Sequence, residues 1–135
     1  MNGKTTGGLR QSFATEIGKT YRVMFDMSGA FMGGSSIKYL TVTAGNATGN
    51  VSYSYSFEMF TGWSVKNMGW TSKGFDFTAN DTVTTLSFDS GNTGYYGPAI
   101  DNVSVRPTPT PEPSAMVLGI FALAGFRTGR KKNTK

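Results

Sequence analysis

Aromatic side chains outside the strand-like segments are the residues of this sequence best suited to contact a ligand. Trp63 and the pair Tyr95 and Tyr96 lie in Gly- and Asn-containing stretches that predict loops, where binding sites concentrate. An aromatic plane in a loop can stack on the C–H face of a sugar ring while nearby Asn and Asp side chains bind its hydroxyl groups. The alternative is that these rings are partly buried and anchor their loops. Trp70 begins a strand-like run, and we expect it in the core.

Most forms of catalytic chemistry are excluded by residue types that the sequence lacks. It contains no Cys and no His, which rules out disulfides, thiolate nucleophiles, Cys/His zinc sites and a Ser-His-Asp triad. Catalysis by paired carboxylates needs two acids about 5–10 Å apart in one cleft. Glu58 with Asp76 or Asp89 stays open, but no motif brings these acids together. We therefore expect no catalytic centre, and a glycosidase is the least favoured class.

The net charge of +5 comes from one end of the chain. Residues 127–135 carry five of the 13 basic residues and none of the eight acidic ones, so the charges of residues 1–126 sum to zero. The remaining Lys and Arg residues are spread singly among acids, whereas phosphate binding needs them gathered on one face. We therefore expect no nucleic-acid partner.

Alternating apolar and polar residues recur in short runs, a pattern that predicts antiparallel strands with one buried and one wet face. The first two runs are joined by a short turn and are predicted to pair as a hairpin. A second turn, at 45–50, separates the next two runs. Seven strands at about ten-residue spacing predict an all-β fold, an antiparallel jelly-roll β-sandwich over residues 1–105. The runs are 9–15, 21–27, 37–44, 51–57, 70–78, 83–88 and 99–105.

Three segments of different composition follow the predicted domain. Residues 106–114 have proline at every second position from Pro107 to Pro113, which predicts an extended linker. Residues 127–135 form a basic tail. Between them lies an uncharged run of twelve residues that is predicted to be a helix. A helix of this length spans only ~18 Å, whereas the hydrocarbon core of a membrane is ~30 Å thick, so we expect a transient membrane anchor. This predicted helix comprises Ala115, Met116, Val117, Leu118, Gly119, Ile120, Phe121, Ala122, Leu123, Ala124, Gly125 and Phe126.

The order of these segments resembles the PEP-CTERM sorting signal of Gram-negative bacteria that secrete polysaccharide. The resemblance rests on the motif Pro111, Glu112 and Pro113, followed by the hydrophobic run and the basic end. It implies an exosortase, a membrane protease-transpeptidase, as a partner. It also implies export by way of the inner membrane to the cell surface or the extracellular matrix. The alternative is a proline-rich linker with a chance hydrophobic end.

The domain resembles galactose-binding-like sandwiches, including the choice-of-anchor domains found with such tails. The likeness is carried by the closing strand at 97–105, by 8–15 with 18–26, and by 70–90. In related carbohydrate-binding sandwiches an aspartate on the last strand is a ligand of a structural calcium ion. The resemblance thus implies calcium binding by Asp101, and the alternative is an Asp that accepts hydrogen bonds from neighbouring loop amides.

The polar segment Met1 to Leu9 lacks the apolar run of a signal peptide, which conflicts with an exported protein. We therefore expect that Met1 is an internal start or that the sandwich lacks N-terminal strands.

The leading functional hypothesis is a non-catalytic surface or matrix protein whose sandwich binds extracellular polysaccharide. The alternative is a structural or adhesive module without a specific ligand.

Overall fold

The computed structural model describes residues 4–59 and 64–109, and every regular element within them is a β-strand. All seven strands pair in antiparallel fashion, in agreement with the predicted all-β sandwich. Each predicted run lies within or overlaps one strand, because side-chain alternation is a local property of the sequence. The strands are β1 (Gly8–Ala14), β2 (Thr20–Gly29), β3 (Ile37–Asn46), β4 (Gly49–Glu58), β5 (Thr71–Thr78), β6 (Val83–Ser90) and β7 (Pro98–Pro107).

The strands form two sheets, with the orders β1-β6-β3-β4 and β5-β2-β7. The predicted hairpin of the first two runs is wrong, because β1 pairs with β6 and β2 pairs with β5 and β7. The connection between β1 and β2 crosses from one sheet to the other. The connection between β5 and β6 crosses between the sheets at the same end. The backbone N–H groups of Thr15 and Gly18 donate to its carbonyls at Thr82 (2.9 Å) and Ala79 (2.8 Å).

The predicted turn between the third and fourth runs is confirmed and is tighter than expected. β3 and β4 stay paired up to Asn46 and Gly49, so only two residues form the loop. Asn46 Oδ1 accepts hydrogen bonds from the backbone N–H of Thr48 (2.9 Å) and Gly49 (3.2 Å), which closes the turn. Gly45 has a φ of 157°, and a Cβ at this position would overlap Asn50.

The core lies between the sheets and is formed by every second residue of the long strands. Phe25 is its centre, with ring centroids 5.3 Å from Phe88 and 5.2 Å from Tyr55, both in edge-to-face geometry. Phe75 and Phe77 point inward, as predicted. The buried hydrophobic residues are Tyr21, Val23, Phe25, Met27, Leu40, Val42, Ala44, Phe57, Phe75, Phe77, Ala79, Leu86 and Phe88.

Three connections leave the sandwich at the same end: residues 30–36 after β2, the connection from β4 to β5, of which residues 59 and 64–70 are described, and residues 91–97 after β6. The register of the strands requires this, because Gly29 pairs with Pro98 and Ile37 pairs with Glu58. We call the described parts of these connections, 30–36, 59, 64–70 and 91–97, the loop end.

Truncation of the central aromatic ring should destabilise the whole sandwich. We expect Phe25→Ala to lower the free energy of unfolding by about 3–5 kcal/mol, because it leaves a cavity between two aromatic rings. Urea unfolding followed by tryptophan fluorescence measures the change. Ile17→Ala is the matched control, since Ile17 is 67% exposed and its loss should change the value by less than about 0.5 kcal/mol. Equal effects of the two substitutions would contradict the assigned core.

Candidate functional site

The structure places Tyr95 and Tyr96 at the loop end, with 59% and 41% of each residue exposed. Trp70 directly precedes β5 at the same end. The expectation that Trp70 is a core residue is wrong, since it is 44% exposed. The buried residues of β5 are the odd-numbered Phe75 and Phe77, and Trp70 shares the even parity of the outward positions. Trp63 lies outside the described residues.

A fully buried lysine joins two of the loops. Lys38 occupies an inward position of β3, and its Nζ donates to the carbonyls of Gly33 and Tyr96, both at 2.9 Å. No carboxylate of the described residues lies within salt-bridge distance of this ammonium group. Burial lowers the pKa of the Lys38 amine, because the charged form has lost its water. The two carbonyls replace part of that hydration, so the loops must stay in place.

Glycine allows the first loop to lie against Tyr96. A Cβ at Gly33 would lie 2.9 Å from the Tyr96 ring, and Gly34 has a φ of 76°, which side chains rarely adopt. One side of the ring is therefore packed, and the residue still keeps part of its surface open to solvent. Tyr96 combines the two alternatives from the sequence, an anchored ring and an accessible one.

A buried asparagine fixes the third loop to β3. Asn92 Oδ1 accepts from the N–H of Tyr39 (2.6 Å), and its Nδ2 donates to the Ile37 carbonyl (2.9 Å). The Gly91 N–H in turn donates to the Tyr39 carbonyl at 2.9 Å. These contacts place Tyr39, which is 48% exposed, beside the loop that carries Tyr95. Sequence reasoning missed Tyr39 as a candidate.

The segment before β5 is held by a separate contact. Ser28, which is fully buried on β2, donates its hydroxyl to the Met68 carbonyl at 2.5 Å. Trp70 therefore follows a fixed point of the chain. The exposed aromatic residues of this end form a group that we call the aromatic rim: Tyr39, Trp70, Tyr95 and Tyr96.

Asp101 does not belong to the aromatic rim. It lies on the outer face of the three-stranded sheet, directly opposite Asp26. Its Oδ1 accepts from the backbone N–H of Asn102 (2.8 Å), whose φ of 51° marks a bulge in β7. The side-chain Nδ2 of Asn102 also donates to Asp26 Oδ2 at 2.8 Å.

The local hydrogen bond of Asp101 matches the alternative role expected from the sequence, an aspartate that accepts from a neighbouring amide. Ca²⁺ takes six to eight oxygen ligands, and only two carboxylates meet here. Residues 4–59 and 64–109 contain no group of three or more Asp, Glu, His or Cys arranged to hold a metal. Calcium binding by Asp101 stays a prediction.

The acids that sequence reasoning left open are not brought into one cleft. Asp76 forms a bidentate ion pair with Arg22 on the outer face of the three-stranded sheet, and this contact lowers its pKa. Glu58 and Asp89 lie on the other sheet, opposite Ile37 and Thr41 and on different sides of β3. Their partners Ile37 and Thr41 are four residues apart, which places Glu58 and Asp89 about 13 Å apart along the strand direction. This distance exceeds the spacing of paired catalytic carboxylates.

Among the described residues, no helix is long and apolar enough to cross a membrane. The predicted linker motif, anchor and basic tail from residue 110 onward lie outside the described residues.

Two solved structures resemble the chain. One, titled "CBM4 structure and function", is 18% identical over 75% of this chain and 61% of its own, with a TM-score of 0.49. The other, titled "Family 16 Carbohydrate Binding Module-2", is 18% identical over 78% of this chain and 72% of its own, with a TM-score of 0.54. The chain thus spans about three fifths of the length of the first structure.

The likeness to the second structure confirms the class of fold, a jelly-roll β-sandwich. The family follows from the sequence itself. Residues 2–106 match the model of the family described as "Protein of unknown function (DUF642)", and the chain belongs to that family. A comparison with curated proteins found no match.

Loss of the buried ammonium group should loosen the loop end. We expect Lys38→Met to lower the free energy of unfolding by about 2–4 kcal/mol, because the Gly33 and Tyr96 carbonyls lose their donor. The effect should grow with pH. The pKa of Lys38 is lowered in the folded protein, so the unfolded chain binds more protons between that value and about 10.4, and the wild type gains stability as the pH rises through this window.

Urea unfolding of both proteins at pH 7 and pH 10 tests this expectation. Lys66→Met is the matched control, since Lys66 is exposed and its removal should be neutral at both pH values. A destabilisation by Lys38→Met that shrinks at the higher pH would contradict the assignment.

Proposed function

We propose that this protein is a non-catalytic carbohydrate-binding module whose aromatic rim contacts sugar rings. One observation carries the proposal: exposed aromatic residues from three different parts of the chain occur at one end of the sandwich. They are Tyr39 on β3, Trp70 just before β5, and Tyr95 and Tyr96 in the loop 91–97. The sandwich resembles a structure whose title names a carbohydrate-binding module, and this likeness supports the same class of ligand.

The loops of the aromatic rim are held before any ligand arrives. Lys38, Asn92 and Ser28 are buried. Lys38 holds the loops 30–36 and 91–97, Asn92 holds the loop 91–97 against β3, and Ser28 holds the segment before β5. A loop that is ordered in the free protein loses less conformational entropy on binding. Tyr and Trp add large contact areas with few rotatable bonds. The arrangement therefore suits a sugar chain, whose rings offer flat apolar faces and hydroxyl edges.

Binding to polysaccharide should depend on the aromatic rim. We expect the wild-type protein to be retarded in gels that contain one or more soluble glucans, xylans or mannans. The dissociation constant should rise about tenfold in Tyr95→Ala and in Trp70→Ala, because each variant loses one stacking contact. Affinity electrophoresis with and without calcium measures this, and Trp63→Ala is tested in the same way.

Two matched variants make this result specific. Tyr95→Phe keeps the aromatic plane and should bind like the wild type, and Ile17→Ala changes an exposed residue at the opposite end. Absence of binding to every polysaccharide tested would contradict the proposal and favour the alternative, a structural or adhesive module without a ligand. Hydrolysis of a polysaccharide by the purified protein would contradict the non-catalytic part.

We further propose that the protein is exported and sorted to the cell surface or matrix. The support is the sequence pattern of residues 111–135, a Pro-Glu-Pro motif, an apolar run and a basic end. In this proposal the apolar run holds the chain in the inner membrane while an exosortase-type protease acts near Glu112. The neutral, Cys-free domain would then reach extracellular polysaccharide.

Cell fractionation tests the sorting proposal. We expect a membrane-bound precursor and a shorter surface form in the native cells, and Glu112→Ala should cause the precursor to accumulate. Thr110→Ala is the control, because it changes the linker and leaves the motif intact. An intact chain dissolved in the cytosol, with its tail uncut, would contradict the proposal.

A further inference from the structure

A cleft lies at the end of the sandwich opposite the aromatic rim, on the outer face of the three-stranded sheet. It has a volume of about 480 Å³, a size typical of small-molecule sites. The residues that line it come from β2, from β7 and from the chain just after β7: Arg22, Met24, Ser104, Arg106, Pro107, Thr108 and Pro109.

Two arginines face each other across this cleft. Arg22 on β2 pairs directly with Arg106 on β7, and like charges in this position destabilise a sheet. Asp76 compensates only one of them, through hydrogen bonds to Arg22 Nε (2.7 Å) and Nη2 (2.9 Å). Arg106 has no ion-pair partner among the described residues. The cleft therefore holds one uncompensated positive charge.

The walls of the cleft are fixed. Thr108 donates both its backbone N–H (2.9 Å) and its hydroxyl (3.2 Å) to the Thr20 carbonyl, which holds Pro107 and Pro109 beside the sheet. Met24 is 37% exposed and forms an apolar floor. Its side chain lies over Gly74, where a Cβ would overlap the Met24 sulfur. The cleft thus combines a cation, an apolar floor and the hydroxyl of Ser104.

We propose that this cleft binds the carboxylate of a uronic acid residue in an acidic polysaccharide. The guanidinium group of Arg106 offers a planar pair of donors that matches a carboxylate, and Arg22 keeps three N–H donors that Asp76 does not use. The apolar face of the sugar ring rests on Met24, and a ring hydroxyl reaches Ser104. The site is separate from the aromatic rim and does not depend on the function proposed for it.

The same face limits which polymers fit. Asp26 and Asp101 lie opposite each other four residues further along β2, about 13 Å from Arg22. A chain with a carboxylate on every sugar would place negative charge against these acids. A chain in which uronic acids alternate with neutral sugars brings half as many carboxylates to this face, which reduces the repulsion, and we assign the cleft to this kind of polymer.

The test uses the full-length protein and a polymer of alternating glucuronate and N-acetylglucosamine. The matched control ligand is the same polymer with its carboxyl groups reduced to alcohols. By affinity electrophoresis at low salt, we expect the native polymer to retard the wild type and the reduced polymer to do so at least tenfold less. Added salt should weaken the interaction, because the arginines are exposed to solvent.

Variants locate the site. Arg106→Gln should weaken binding about tenfold or more, and Arg106→Lys should weaken it less, since it keeps the charge but loses the planar fork. Arg10→Gln is the control, because Arg10 is an exposed arginine on the other sheet. Arg106→Gln should fold at least as well as the wild type, since it removes the repulsion by Arg22, and thermal unfolding verifies this.

Three results would overturn the inference: unchanged binding by Arg106→Gln, an equal loss in Arg10→Gln, or equal binding of the reduced polymer. Tyr95→Ala separates this site from the aromatic rim. It should leave binding of the acidic polymer unchanged, and loss of that binding in Tyr95→Ala together with full binding by Arg106→Gln would assign the polymer to the rim and overturn the proposed cleft.

Discussion

The loop end of this protein depends on one buried ammonium group. In the folded protein, hydrogen bonds to the carbonyls of Gly33 and Tyr96 replace water around the Lys38 ammonium group. Without these acceptors the buried charge would be strongly destabilising. The requirement fixes both loops at once, because each supplies one acceptor. The exposed faces of Tyr95 and Tyr96 are therefore carried by a segment whose backbone position is set from inside the core.

The sandwich keeps its two proposed contact regions apart. The aromatic rim consists of uncharged residues at the loop end, whereas the cleft lined by Arg22 and Arg106 is cationic and lies where β7 leaves the sheet. Between them the core is closed by edge-to-face contacts of Phe25 with Tyr55 and Phe88.

Features that depend on neighbouring residues could be predicted from the sequence, whereas features that depend on distant residues could not. Alternation located every strand, and the Gly- and Asn-containing segment 45–50 located the turn between β3 and β4, because both depend on neighbouring residues. The β1–β2 hairpin was wrong because the choice of strand partner depends on distant residues. Lys38 could have been noticed, since it stands at an inward position before Leu40 and Val42. The Arg22–Arg106 cleft needed the register between β2 and β7, which no local pattern contains.

Binding by the aromatic rim depends on a loop bearing Tyr95 and Tyr96 that is ordered in the free protein. Backbone ¹⁵N relaxation measures this directly for residues 91–97. We expect order parameters of about 0.85, as in the neighbouring strands, because Lys38 and Asn92 hold the loop by hydrogen bonds from β3. Values under about 0.6 throughout this loop, with rigid strands beside it, would contradict the claim.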